Sequence, residues 1–321
     1  MGVDSAGPRT WATGARAVLV TTVLALALGA CSGSQDGTAV EDASVGGGTG
    51  VPSVHVPQDQ SRWTLPTDPY VTVSAVVTQA FDEVQASCMR ERGHESFRVR
   101  HDASAPAPET QAADGHSVVF NETVAATYGY RLAPDPRDLL ADEIAAAGGS
   151  LYGSESDEFR TDLRECATEA DTALNGGTPP PTSVPEESAE STAYSELDRL
   201  EVDFSSPQLS TAAESWRTCM APLGIADLPE RPWLPGNRPP ESLVSSWGWE
   251  LTGAPTADEI RVATADAACR RSSGWFDQLY EAEWNLRQEF VTQHAADLEP
   301  IRLQLEQQRA AAEQIIARGG A

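Results

Sequence analysis

Chemistry in this 321-residue chain has to come from few side-chain types: 48 acids, five histidines, five cysteines, and arginine, which accounts for all 22 basic residues. The absence of lysine excludes a Gly-Lys-Ser/Thr phosphate loop, a Schiff base and a Ser-x-x-Lys acylation dyad. Ala, Arg, Gly and Pro, all read from GC-rich codons, dominate the chain, so the missing lysine reflects genome composition. His94, His101 and His116 lie near Cys88 and Met89, where a soft metal is imaginable, but no pair has ligand spacing on one helix face. The chain has no Gly-x-Ser-x-Gly elbow, no His-Glu-x-x-His and no calcium loop. A pair of glycosidase carboxylates has no sequence signature, and 48 acids do not single one out. The sequence therefore assigns no catalytic residue, no cofactor and no metal. The net charge of −26 disfavours nucleic acid and anionic lipid as partners.

The cysteines are more informative. Cys31 follows Leu28-Gly29-Ala30 at the end of an uncharged run, Ala17 to Leu28, with Arg9 and Arg16 ahead of it. That order of regions reads as a lipoprotein signal peptide over 1–30, with the Cys31 thiol taking a diacylglyceryl group and becoming the mature N-terminus. As a helix, twelve residues reach roughly 18 Å, too short for a hydrocarbon core of about 30 Å. Two acyl chains give lasting attachment where one binds reversibly. The expected address is the cell membrane, lipid-anchored on its extracytoplasmic face. Disulfides persist there, and Cys88, Cys166, Cys219 and Cys269 allow three pairings. The sequence-adjacent one, Cys88 with Cys166 and Cys219 with Cys269, divides the chain into two stapled halves.

These groups need elements to hold them. Residues 31–67 are rich in Gly, Ser, Thr and Pro and read as a disordered tether. A first helical half is expected over 68–174. Its first helix runs from Asp68-Pro69 to Gly93 with Tyr70, Val73, Val77, Phe81, Val84 and Cys88 on one face. A second starts near Ser154 and carries Phe159, Leu163, Cys166, Ala170 and Leu174. Between them, Phe97, Val99 and Val118 to Phe120 suggest a minor hairpin. Residues 175–191, with Gly176-Gly177 and Pro179-Pro180-Pro181, form a linker. A second half, 192–321, repeats the plan: Ser206-Pro207 opens a helix with Leu209, Ala212, Trp216 and Cys219, and the capping box Thr256-Ala257-Asp258-Glu259 leads to Val262, Ala265 and Cys269.

Cys88-Met89-x-x-x-Gly93 and Cys219-Met220-x-x-x-Gly224 place the same six-residue pattern at a helix end in each half. From Gly274 onward, heptad-related pairs such as Leu279 with Leu286 and Ile301 with Ile315 predict a long helix kinked at Pro300, or a helical hairpin. The predicted fold is mainly α: a disulfide-stapled helical bundle in two related halves, with a long kinked C-terminal helix and minor β. Six tryptophans crowd the second half. Large aromatics commonly fill cores, yet rings beside the Pro-rich loop 231–240 can stack on wall sugars. Trp247-Gly248-Trp249 is the candidate binding pair, since alternation in an extended segment puts both rings on one side.

The Cys-Met-x-x-x-Gly pair, Tyr128-Gly129-Tyr130, and Glu259-Ile260 through Ala265-Asp266-Ala267-Ala268-Cys269-Arg270 resemble disulfide-bonded secreted lipoproteins of high-GC Gram-positive bacteria, the actinobacterial lipoproteins. The resemblance covers most of residues 68–300 and brings no known reaction. It implies an extracytoplasmic, disulfide-bonded, mostly helical protein. The expected function is that of an envelope lipoprotein that binds an envelope protein complex or a wall component without catalysing a reaction. A carboxylate-dependent wall hydrolase is the alternative. A transporter's solute-binding lipoprotein is a weaker one, because alternating strand and helix units are few.

Overall fold

Side-chain N-caps at Asn121, Ser156 and Thr256 start three of the helices, and two cysteine pairs fasten helices together. The computed structural model describes residues 54–149, 151–152, 155–179 and 189–319. The leader, Cys31 and the greater part of the tether, with residues 180–188 of the linker, lie outside the described residues.

Ser74 ends a short helix-poor stretch and opens α2 (Ala75–Glu91). The expected single helix from Asp68 is therefore two, because Val71-Thr72-Val73 is a β-branched run that resists helix. Asp68–Val71 remains as the one-turn α1, and Val73 is exposed. The Ser156 side chain accepts the Phe159 N–H at 3.1 Å and starts α5 (Asp157–Leu174), with Asp157 and Glu158 in its first turn. Cys88 and Cys166 meet where α2 and α5 pack, at a Cα–Cα distance of 5.6 Å, beside Met89, Phe97 and Phe159. The second staple repeats this. Pro207 begins α7 (Pro207–Met220), the Thr256 hydroxyl accepts the Glu259 N–H of α9 (Ala257–Ser272), and Cys219 and Cys269 are again 5.6 Å apart. Met89 and Met220 are both fully buried, and Gly93 and Gly224 both have positive φ where the chain leaves its helix.

The halves nonetheless interlock through helices that cross between them, although the apolar interior among the described residues is divided into several clusters. Two-turn helices too short for a periodicity signal add α3 (Glu122–Tyr128), α4 (Ala141–Ala146) and α8 (Glu241–Trp247), and α6 (Ala189–Leu197) takes in the last residues of the expected linker. In chain order α3 belongs to the first half, but it packs on α9 of the second. The C-terminal run crosses the other way. It divides into α10 (Trp275–Gln293) and α11 (Ala295–Ala317) at His294, six residues before the expected kink, while Pro300 sits inside α11. α10 lies against α7 and α9, whereas α11 lies against α2, α5, α1 and α6. The heptad residues Leu279 and Ile301 pack within the protein's own core, Ile301 beside Phe290 and Leu298. Among the described residues β structure is confined to isolated bridges. The hairpin joins 110–112 to 117–119, with Val119 N–H to Thr110 O at 2.8 Å, and Phe97 and Val99 pack beside the first disulfide instead.

The tether ends earlier than composition suggests. Leu65 and Thr67 are buried, the Trp63 indole N–H donates to Glu283 at 2.7 Å, and the Tyr280 hydroxyl donates to Thr64 O at 2.9 Å. Residues 59–67 are thus fastened to α10.

Two predictions follow from this frame. Each disulfide closes a long loop, separations 78 and 50, which in the chain-entropy model is worth roughly 4 to 4.5 kcal/mol. Replacing Cys219 and Cys269 together by serine should lower unfolding free energy by an amount of that order in urea titrations, and an unchanged midpoint would refute a structural staple. Asp68 offers a pH signature. Its Oδ2 accepts the Leu65 N–H at 3.0 Å while Oδ1 is buried without a partner, and burial pushes the carboxyl up to about 6. The folded protein then binds a proton that the unfolded chain does not, so this group's contribution to stability rises as pH falls through 6 toward the ordinary carboxylate range near 4. Asp68→Asn should raise Tm at pH 7.5 and narrow the difference in Tm between pH 7.5 and pH 5; an equal difference in both proteins would contradict the assignment.

Candidate functional site

The motif residues of α9 converge on a buried polar knot. Glu259, Asp266 and Arg270 are spaced by seven and four, so they share one helix face, and each is at most 1% exposed. A buried carboxylate is tolerable only when its lone pairs are taken up. Those of Asp266 are: Oδ1 accepts from the Trp216 indole at 2.7 Å and Arg270 Nε at 2.9 Å, and Oδ2 accepts from Arg270 Nη2 at 2.9 Å and the Tyr130 hydroxyl at 3.1 Å. Burial, then the Asp266 charge, holds the Tyr130 phenol well above its ordinary value, so it stays a donor. Glu259 accepts from Arg131 Nε and Nη2 at 3.0–3.3 Å and from the Tyr130 backbone N–H at 3.2 Å. The capping box is therefore half formed. The Thr256 hydroxyl caps α9, but the Glu259 side chain reaches across to Arg131. Gly129 is required there, because at φ +60° a Cβ would stand 2.8 Å from Glu259 Oε1.

Aromatic rings enclose the knot. Tyr130 lies 5.4 Å from Phe120, 5.2 Å from Trp233 and 6.0 Å from Trp247, and the Arg270 guanidinium lies 5.0 Å from the Phe120 centroid and 5.2 Å from that of Trp233. The candidate pair Trp247 and Trp249 belongs to this packing. Trp247 ends α8, is 8% exposed, and donates its indole N–H to Asp258 at 2.9 Å; Gly248 is the left-handed cap, and Trp249 packs on the same cluster with its own indole N–H buried and unpaired. The segment is a helix end, so alternation does not apply and the two rings form no exposed platform.

One side of this cluster opens into a cleft of about 320 Å³. Its lower wall is Phe276, Leu279 and Glu283 of α10, with Arg270 at the back. Its upper wall is the turn Leu234-Pro235-Gly236-Asn237, closed by Asn237 N–H to Leu234 O at 3.1 Å, with Pro second and a positive-φ Gly third, the residue pattern of a type II turn. Gly236 lets the turn lie on Val118, since a Cβ there would come within 2.9 Å of Val118 Cγ2. Trp63 forms the third side. It is the one non-glycine residue with positive φ among the described residues, at +52°, a left-handed placement that costs a bulky side chain about 1–2 kcal/mol. Its ring is held by the 2.7 Å bond to Glu283 and an edge contact with Tyr280 at 5.1 Å. Burial raises the Glu283 carboxyl above its usual range, against the opposing effects of the Trp63 bond and Arg287.

A second cleft, about 460 Å³, is polar and lies beside His101, Asp102, Asp135 and Arg137. His101 Nδ1–H donates to Asp82 at 2.7 Å, which fixes the ring, but among the described residues no hydroxyl or thiol hydrogen-bonds its other nitrogen. Asp102 is held low by Ser104, and Asp135 by Arg137, so neither is suited to be a proton-donating acid. The three histidines near Cys88 are not brought together. His94 pairs with Asp162 at 2.8 Å, His101 with Asp82, His116 lines the aromatic cleft, and Cys88 is in its disulfide. Among the described residues no group of three His, Cys, Asp or Glu side chains is placed to hold a metal ion. Comparison with family models, curated proteins and solved structures yields no significant match to the chain.

Composition draws attention to the Pro-rich loop 231–240 only through the aromatics beside it; that the loop lines the aromatic cleft with Trp63 and Glu283 carries no sequence signal. Trp63 sat in a stretch that reads as tether, and Glu283 is one acid among many on α10. The knot gives a direct expectation. Asp266→Ala would leave Arg270 buried and unpaired, a change that typically costs about 3–5 kcal/mol, whereas Asp266→Asn keeps acceptor and volume and should cost less. Urea denaturation of both variants checks this ordering; equal, small losses would show that the carboxylate is not the knot's centre.

Proposed function

We propose that the protein is a lipid-anchored lipoprotein of the extracytoplasmic face of the cell membrane and that it acts by binding an envelope component rather than by catalysis. The observation that carries the address is Leu28-Gly29-Ala30-Cys31 at the end of the uncharged run 17–28. The two disulfides suit an oxidising compartment, and the resemblance to actinobacterial lipoproteins points the same way. No helix among the described residues is long and apolar enough to cross a membrane.

Binding is favoured over two-carboxylate hydrolysis by the lining of the aromatic and polar clefts; a third cleft, about 420 Å³, carries Asp68 and Glu306, but Asp68 Oδ2 is taken by the Leu65 N–H and Oδ1 is buried. The aromatic cleft carries a single acid, Glu283, and the two acids lining the polar cleft are both held ionised by their partners. A general acid and a second carboxylate facing each other across a cleft is what hydrolysis needs.

The anchor is tested in cells. Cys31→Ser should move the protein from the membrane fraction into the medium, or leave it unprocessed with its leader attached. Retention of processed Cys31→Ser protein on membranes after a high-salt wash would overturn the reading.

A further inference from the structure

We propose that the cleft between Trp63 and the Leu234–Asn237 turn is a carbohydrate site that takes one or two uncharged hexopyranose rings, of the N-acetylated kind, from a glycan strand. The inference deepens the binding reading above and rests on it.

Three observations carry it. The first is the state of Trp63. A tryptophan in the left-handed region is sterically disfavoured, yet here the ring is pinned by an indole bond of 2.7 Å to a half-buried carboxyl and edged by Tyr280. An aromatic face held in a fixed orientation beside a cavity is the surface on which the C–H face of a pyranose stacks. The second is the pairing of apolar walls with a few convergent polar groups. Phe276 and Pro235 supply apolar surface, while Asn237 and Glu283 stand at the walls with acceptor and donor capacity for hydroxyls. At the back, Arg270 is 1% exposed, and its Nε and Nη2 are taken by Asp266. Asp266 leaves Nη1 unengaged, as a donor to a carbonyl such as that of an acetamido group. The third is charge. The chain carries −26, and the acid at the cleft has its carboxyl pushed upward by burial; an anionic polymer is repelled, whereas a neutral sugar is not. The volume of about 320 Å³ lies at the small end of ligand sites, which suits one or two rings.

The walls are also set before any ligand arrives. Gly236 seats the turn on Val118, and the bond to Asp266 fixes the Arg270 guanidinium among Phe120, Trp233 and Phe276. Rigid walls reduce the ordering cost of binding.

The test uses the lipidated full-length mature protein in detergent, titrated with tetra-N-acetylchitotetraose, with cellotetraose and with a soluble polyanion, read by calorimetry and tryptophan fluorescence. Saturable binding of the N-acetylated tetramer, with weaker cellotetraose binding and none of the polyanion, is expected. Trp63→Gly removes the ring while relieving its φ, and Asn237→Ala changes an exposed turn residue; each should weaken binding at least tenfold with circular dichroism unchanged. If Trp63→Gly fails to fold, Asn237→Ala alone decides. Absence of saturable binding to the folded parent protein overturns the site, as does binding that Asn237→Ala leaves intact. Failure is distinguishable from failure of the wider reading: wall sacculi captured equally by parent and cleft variants would overturn this cleft while leaving an envelope-binding lipoprotein, whereas the membrane fractionation of Cys31→Ser tests the anchor alone.

Discussion

A carboxylate sealed from water can persist only if the fold brings enough donors to it, and in this protein that constraint falls on Asp266. Its two oxygens accept four hydrogen bonds, from α7 through Trp216, from the turn after α3 through Tyr130, and from its own helix through Arg270. Two turns earlier on the same helix face, Glu259 makes the same demand of Arg131 and the Tyr130 backbone. Segments far apart in sequence must therefore arrive together. Because buried ion pairs contribute little net stability over apolar packing, the knot is better understood as fixing which segments meet than as a source of binding energy.

The placement of the cleft follows from this. The rings that close over Arg270 are Phe120, Trp233 and Phe276, and Phe120 and Phe276 reappear as cleft walls. Trp233 leads directly into the Pro235-Gly236 turn above it. Trp63 completes the cleft from a segment that enters ahead of α1 and docks on α10. The staples lie apart from it: one clamps α2 to α5, the other α7 to α9, and α11 lies across the first pair, opposite in chain order to α3 on the second. The Cys-Met-x-x-x-Gly pattern thus describes two similar stapled pairs, and exchange of α3 and α11 interlocks them.

Much of this was legible in residue spacing. Four cysteines on apolar helix faces left three pairings open, and the sequence-adjacent one expected is the one found, while Ser206-Pro207 and Thr256 marked the helix starts. What spacing could not convey were features decided by tertiary contact. Val71-Thr72-Val73 broke the first helix although its apolar stripe continued. The long C-terminal helix broke at His294, where its core partner changes, while Pro300 was accommodated within α11. Trp247-Gly248-Trp249 read as extended because alternation was visible, but Gly248 served as a left-handed helix cap and both rings turned inward. Trp63 and Glu283 have no motif at all; they meet across more than two hundred residues.

By holding Tyr130 of the first half to Trp216 and Arg270 of the second, the Asp266 knot is expected to make the two stapled halves one cooperative unit. Native-state hydrogen exchange of the oxidised protein measures this most directly, because slowly exchanging amides report the free energy of the opening that exposes them. The most protected amides of α2 and α5 and those of α7 and α9 should share one opening free energy and one denaturant dependence, and both sets should fall together in Asp266→Asn. Two distinct values, with only α7 and α9 responding to the substitution, would show that the halves unfold independently and that the knot serves the second half alone.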